Sequence, residues 1–351
     1  MTSDPDTILV SAPNWLGDAV MALPAIADIR RHLPAGRVVI AARPAVADLF
    51  RMVPGIDEIV SLSWKGRWWK RSALRADAVA LGSIGADVAI LLPNSFATAW
   101  LVRRAAIPER WGYATDMRRP LLSRPVHRPR RSMHQGAYYQ HLTNALGIPA
   151  GPLQPAIVVP QHATDAARTL LLERGWDGRR PLAVLAPGAA YGTAKRWIPS
   201  HVATLAADLV RNRHMTCALV GSKADHATTR VVLGSIAADA RARVIDVAGS
   251  TTLELLAGIF SLADVCVSND SGAMHLAAAI GTPVVAVFGP TREHETAPLP
   301  CAGGRTEVLT HPVWCRPCML RECPIDHRCM TGITPERVFL AVDTVLAEAA
   351  R

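Results

Sequence analysis

The sequence predicts an α/β fold made of two doubly wound halves, and three observations predict it. Short apolar runs such as Thr7–Ala12, Arg37–Ala42, Leu182–Ala186 and Val284–Phe288 read as strands covered on both faces. Segments with helical spacing separate these runs, which is the alternation of a parallel sheet. The alternation stops in a stretch with four prolines, residues 147–160, and then begins again. At 351 residues, half of them hydrophobic, the chain can bury two cores.

In the first half, Thr7–Ala12 is a strand and residues 13–18 the turn after it. Apolar positions Val20, Leu23 and Ala27 mark a helix over Ala19–His32, bent at Pro24. Arg37–Ala42, Glu58–Leu62 and Asp87–Leu92 are further strands, with helices at Pro44–Met52, Lys70–Leu81 and Ser95–Arg104. Arg118–Arg131 breaks the pattern with Pro and Arg, and Gln135–Leu146 returns to helix. In the second half the strands are Leu182–Ala186, Cys217–Gly221, Val244–Val247, Ala263–Ser268 and Val284–Phe288. Helices fall at Pro199–Arg211, Asp225–Ala238, Leu253–Leu262 and Gly272–Ile280. A closing helix spans Pro335–Ala350, with Thr334 as N-cap and Pro335 at its first position. The expected division is 1–160, 161–333 and this terminal helix, 334–351. Two Rossmann-like halves with a cleft between them would bind ligands at the carboxyl ends of the strands.

The net charge is +9, and nine arginines from Arg103 to Arg131 crowd one stretch. Such a patch suits nucleic acid, anionic lipid or an anionic sugar, or is a solvated loop. No nucleic-acid fold signature accompanies it, which argues against DNA or RNA. No apolar run reaches roughly 18 residues unbroken, so no transmembrane helix is expected. The acidic start Met1-Thr-Ser-Asp-Pro-Asp lacks the basic segment of a secretory signal, so a cytoplasmic chain is expected.

Three loops at strand ends carry residue types suited to chemistry. The first holds Gly17 and Asp18; Asp18 is placed either to cap a helix or to take a proton from a hydroxyl. The second, Ala186 to Trp197, combines Gly188, Gly192, Thr193, Lys195 and Arg196 after a strand, a plausible phosphate cradle that is not a Walker A sequence. The third is Asn269-Asp270-Ser271-Gly272-Ala273-Met274-His275, a polar strand-to-helix turn whose free N–H groups suit a diphosphate. Asp225, after Gly221-Ser222, is a further strand-end carboxylate able to accept ribose hydroxyls, or simply a helix-start residue. The glycine pattern of dinucleotide binding is absent from the first loop.

Of seven cysteines, Cys217 and Cys266 fall in apolar strands and Cys301 stands alone. Cys315, Cys318, Cys323 and Cys329 cluster around His327. The first pair has metal-knuckle spacing, and four thiolates would fill a tetrahedral zinc or iron site; reduced cysteines in an ordered loop are the alternative.

Five stretches in order, Asn14–Asp18, Leu92–Ser95, Pro187–Trp197, Gly221–His226 and Asn269–His275, resemble the ADP-heptose–lipopolysaccharide heptosyltransferases of glycosyltransferase family nine. The resemblance runs from Ile8 to Phe339, and the enzymes adding the second inner-core heptose are the nearest type. It implies a GT-B fold with the acceptor on the N-terminal domain and the nucleotide sugar on the C-terminal one. By motif, Asp18 matches the proposed catalytic base and Lys195 the lysine at the donor diphosphate. Asp270, Ser271, Gly272 and His275 match the donor turn, joined by Gly188 and Thr193; Asp225 falls at the ribose and Thr251 near the adenine. Asn14, Trp15, Gly17, Asn94, Ser95, Arg118 and Arg119 would face the acceptor.

The resemblance further implies ADP-heptose as co-substrate and no cofactor needed for the chemistry. The acceptor would be Kdo-lipid A or mono-heptosylated lipopolysaccharide, met in peripheral contact with the inner face of the inner membrane. The product linkage implies inversion in a single displacement. Addition of the first heptose, protein O-heptosylation of an autotransporter, and a non-catalytic cysteine-metal scaffold are the rival readings. First and second inner-core enzymes share these motifs. Some relatives, the protein heptosyltransferases, carry iron on cysteines.

Overall fold

A computed structural model of the chain describes residues 5–349. Residues 1–4, on which the reading of the N-terminus mostly rests, and 350–351 lie outside the described residues. The chain divides between Ala156 and Ile157, inside the proline-rich stretch, into two compact units.

The first unit holds six parallel strands: β1 (Thr7–Ser11), β2 (Arg37–Ala42), β3 (Glu58–Ser61), β4 (Val88–Leu91), β5 (Glu109–Tyr113) and β6 (Arg124–Val126). Their order is β3-β2-β1-β4-β5-β6. The second unit repeats the plan with β7 (Leu182–Ala186), β8 (Thr216–Leu219), β9 (Val244–Asp246), β10 (Val265–Asn269), β11 (Val284–Phe288) and β12 (Thr306–Thr310), ordered β12-β11-β10-β7-β8-β9. Each order reverses direction once, between β1 and β4 and between β7 and β10. At these switch points loops leave in opposite directions and open a crevice above the strand ends.

Both sheets are covered on both faces, which is why their strands read as continuous apolar runs. Leu9, Val39, Ala89 and Leu91 pack on one face with Leu81, Ala99 and Val102. In the second sheet Leu185, Val267 and Val285 share a core with Val202, Leu205, Val338, Val342 and Val345. The terminal helix Pro335–Ala349 is thus part of the second unit's core and not a separate element. Each such Leu, Ile or Val contributes about 1.5–3 kcal/mol on burial. The two units also start their central strands alike. Asp87, just before β4, accepts the Thr7 N–H at 2.9 Å, and Asp264, just before β10, accepts the Leu182 N–H at 2.7 Å.

Several expectations need correction. The helix expected over Ala19–His32 is two helices, Leu16–Met21 and Leu23–His32, broken at Ala22 because Pro24 lacks the N–H a continuous helix would use. Asp18 is not a helix cap: Trp15 is, without a side-chain bond, and Asp18 lies in the first turn. The stretch Arg118–Arg131 contains strand β6, whose Pro125 is tolerated because β6 is the sheet edge. Strands β5 and β12 and the helix Gln161–Glu173 were not anticipated, since each opens on polar residues.

Candidate active site

In the first unit, the loops after β1 and β4 flank the switch point. Asn14 and Trp15 are exposed, and Gly17 and Asp18 half-buried. Asn14 and Ser95 border one small cavity with Ser11, Arg43, Trp64 and Gly66. Ser95 caps the helix Phe96–Arg104 by accepting the Thr98 N–H at 3.3 Å. Behind the first loop, the Tyr139 hydroxyl is pushed well above its usual range, first by burial and then by the neighbouring Asp18 carboxylate. Asp18 therefore stands close to a phenol that stays protonated.

Asn94 is exposed and donates to the Tyr138 hydroxyl at 2.9 Å. Arg118 lies beneath it, fully buried. Its guanidinium donates to the Tyr113 carbonyl at 2.8 Å, to the Pro93 carbonyl, and to Asn94 Oδ1 at 3.4 Å. Burial lowers its pKa to about 10. The structure thus spends Arg118 on the loop after β4, whereas Arg119 next to it is exposed.

In the second unit, the loops after β7 and β10 meet. The register pairs Ser268 with Ala186, which sets Asn269 beside the start of the 187–197 loop. Asn269, buried, ties that loop down: its amide donates to the Pro187 carbonyl at 2.7 Å and the Gly188 carbonyl at 3.2 Å, and its oxygen accepts the Trp197 N–H at 3.0 Å. Asp270 Oδ2 lies 2.5 Å from Lys195 Nζ and accepts the Thr291 hydroxyl at 2.6 Å. Ser271 caps the helix Gly272–Ile280 by accepting the Ala273 N–H, and also bonds the Ser268 hydroxyl at 3.0 Å. His275 is buried on the same helix. The site thus combines a helix N-terminus, with its partial positive charge, and a lysine held by a buried carboxylate.

Asp225 is buried and closes a capping box, accepting the Ser222 N–H at 2.9 Å and hydroxyl at 2.7 Å. A Cβ on Gly188 would lie 2.4 Å from Asp225 Oδ1, so only glycine fits where the two loops touch. Thr193 is exposed and Thr251 half-buried; the cap of the helix Leu253–Leu262 is the next residue, Thr252, which accepts the Leu255 N–H.

Sequence reasoning missed the roles of Asn269, Thr291, Tyr191 and Arg321. Lys195 Nζ lies over the Tyr191 ring at 4.7 Å and the Arg321 guanidinium over the same ring at 5.2 Å. The Arg321 carbonyl accepts the Ala194 N–H at 3.0 Å, so the cysteine-rich segment braces the lysine loop. Asn269 sat in plain sight inside the polar turn; the other three had no local signal.

Cys315, Cys318, Cys323 and Cys329 line one cavity beside Ala194 and Pro290. Burial, and then the other three sulfurs, push the Cys329 thiol up. Among the described residues, however, no three His, Cys, Asp or Glu side chains are arranged to hold a metal ion. Cys323 Sγ accepts the His327 N–H at 3.3 Å, and Cys329 sits buried on the short helix Arg328–Thr331. As placed, the four thiols share a cavity but form no group fit to hold a zinc or iron ion.

Residues 75–328 match the family model of glycosyltransferase family 9 (heptosyltransferase). The chain is 28% identical to lipopolysaccharide heptosyltransferase 2 of Salmonella typhimurium, over 97% of this chain and 99% of that one. It is 26% identical to lipooligosaccharide heptosyltransferase 2 of Campylobacter jejuni, over 94% and 96%. Among solved structures, the ADP-heptose lipopolysaccharide heptosyltransferase II of E. coli superposes with a TM-score of 0.84 at 26% identity, covering 98% of this chain and 100% of that one. With two Rossmann-ordered sheets and a cationic strand-end loop in place, the chain belongs to glycosyltransferase family 9 and is a glycosyltransferase of the GT-B class.

Proposed function

We propose that this enzyme moves L-glycero-D-manno-heptose from ADP-heptose to the inner core of lipopolysaccharide, adding the second heptose to a mono-heptosylated acceptor. The observation that carries the reading is the Lys195–Asp270 pair at the N-terminus of the helix Gly272–Ile280. A fixed ammonium and free helix N–H groups suit a diphosphate that gains charge as it leaves. The near full-length likeness to the type-2 enzymes of Salmonella and Campylobacter supports the choice of the second heptose.

In this reading Asp18 takes the proton of the acceptor hydroxyl. The hydroxyl oxygen bonds to the anomeric carbon, and the bond from that carbon to the diphosphate oxygen breaks. ADP departs with the electron pair, and Lys195 and the Ser271-capped helix stabilise its charge. The configuration inverts in one step, and no sugar–enzyme bond forms. Gly188, Thr193, Asp225, Thr251, Asp270, Gly272 and His275 complete the donor side. Asn14, Trp15, Gly17, Asn94, Ser95 and Arg119 form the acceptor side, with Arg118 positioning Asn94. ADP-heptose is a co-substrate, and the chemistry draws on these side chains.

No helix among the described residues is long and apolar enough to cross a membrane. We place the enzyme at the inner face of the inner membrane as a peripheral protein. The test is to incubate purified protein and ADP-heptose with heptose-free and with mono-heptosylated acceptor. Transfer only to the mono-heptosylated acceptor is expected. Transfer to the heptose-free acceptor would assign the first heptose instead, and transfer to an autotransporter protein alone would overturn the lipopolysaccharide reading.

A further inference from the structure

The exposed aromatic side chains crowd into the first unit. Trp15, Trp68, Trp69, Phe96 and Trp100 are exposed there, against Trp314 in the second unit among the described residues. Two of them are neighbours in a short segment, Ser63-Trp64-Lys65-Gly66-Arg67-Trp68-Trp69-Lys70-Arg71. Trp68 is 72% exposed and Trp69 56%, which is costly in water for two large apolar surfaces side by side.

The segment is built and not loose. Its base is pinned by buried Asp77, which accepts the Ser63 N–H at 3.2 Å, the Ser63 hydroxyl at 2.9 Å and the Trp64 N–H at 2.7 Å. Trp64 is buried, and its indole N–H donates to the Arg67 carbonyl at 2.9 Å, closing the turn. Gly66 takes a left-handed φ of +78°, and a Cβ there would meet Ala97 at 3.2 Å, so the turn rests on the helix Phe96–Arg104. That helix presents exposed Phe96 and Trp100, stacked at 6.4 Å, and ends in exposed Arg103 and Arg104.

Charge follows the aromatics. Lys65, Arg67, Lys70 and Arg71 are all exposed. No acidic residue lies between Ser63 and Asp77, and Asp77 is already engaged. Arg67 lies over the Trp69 ring at 5.8 Å, and Trp68 meets Trp69 edge-on at 5.8 Å. Tryptophan favours the boundary between water and acyl chains, where its ring is half-solvated. Cations beside it are drawn to anionic headgroups.

We propose that Lys65–Arg71 is a docking loop for an anionic bilayer surface. Trp68 and Trp69 enter the headgroup region, and the four cations meet its phosphates. Trp64 and Gly66 of the same loop border the cavity that holds Asn14 and Ser95, so docking would bring a membrane-borne acceptor to that cavity. This last step rests on the proposed lipopolysaccharide acceptor; the docking itself does not.

The test uses the full chain and no substrate. Vesicles of phosphatidylcholine alone and vesicles containing phosphatidylglycerol are sedimented with the protein. Binding to the anionic vesicles, weakening as salt rises, is expected. W68S/W69S and K70Q/R71Q should each lower that binding about tenfold, with unchanged melting temperature and unchanged transfer to a soluble, deacylated acceptor. Equal binding by the variants and the parent would overturn the proposal. So would a loss of transfer to the soluble acceptor, which would make the loop part of the acceptor site. If the parent binds vesicles as expected but transfers no heptose, the proposed function fails and the docking loop stands.

Discussion

Lys195 Nζ lies 2.5 Å from Asp270 Oδ2, although 75 residues separate the two in sequence. Both side chains are largely out of water, and Asp270 also accepts the Thr291 hydroxyl. A pair this enclosed aims the ammonium, because breaking it strands one charge at a cost of about 3–5 kcal/mol. Lys195→Ala should weaken ADP-heptose binding by about ten- to hundred-fold, the range for a lost hydrogen bond to a charged group. Lys195→Arg should restore only part, since a planar guanidinium does not reproduce a point ammonium. Asp270→Asn should weaken binding too, and the double variant should be no worse than Lys195→Ala alone. Titration calorimetry on the parent and the four variants checks this; strictly additive losses would mean that the two residues act independently.

Asp18 sits in the first turn of a short helix, half-buried and close to the protonated Tyr139 hydroxyl. Asp18→Asn keeps the shape and removes the base. It should leave donor affinity within about twofold and slow transfer by about a hundredfold or more. Single-turnover rates with saturating donor measure it, and transfer at the parental rate would remove Asp18 from the role of base.

Gly188 is where the lysine loop touches Asp225. A methyl group there would come within 2.4 Å of Oδ1, and Asp225 is held by its capping box with Ser222. Gly188→Ala should therefore destabilise the second unit by about 1–3 kcal/mol, as overpacking does, and weaken ADP binding along with it. Adding Asp225→Ala should return part of the stability, because the clash partner is gone. Denaturant midpoints of the single and double variants decide the point, and no recovery would place the strain elsewhere.

How much of this was legible in the sequence depended on the range of the interaction. Strands buried on both faces announce themselves as apolar runs, so β1, β2, β7 and β11 were readable. Strands β6 and β12, which bury less and carry Pro or Glu, were not, although the edge strands β3 and β9 were. The polar turn 269–275 was readable because its caps are local. Its partner Thr291, and the approach of Arg321 to the Tyr191 ring, depend on loops distant in sequence. The cysteine cluster shows the limit of spacing: it resembles a metal knuckle, yet among the described residues these side chains are not grouped to hold a metal ion.

Arg118 is the sharpest case of misreading by composition. It belongs to nine crowded arginines that suggest a surface for an anionic partner, yet it is fully buried with no carboxylate salt bridge among the described residues. Three oxygens hold it, from Tyr113, Pro93 and Asn94, and they fix the loop that carries Asn94 and Ser95. Arg118→Met fills similar space and leaves those acceptors unanswered. It should cost roughly 3 kcal/mol of stability, the scale of losing hydrogen bonds to a buried charged group. Below the melting transition it should raise the acceptor KM several-fold while leaving the donor KM near its parental value, because the loop it supports lies in the first unit. Arg118→Lys should be nearly as damaging, since one ammonium cannot reach three acceptors arranged for a planar fork. Urea denaturation and two-substrate kinetics check both variants. A stable Arg118→Met protein with unchanged acceptor KM would show that the buried guanidinium neither supports the loop nor shapes the site.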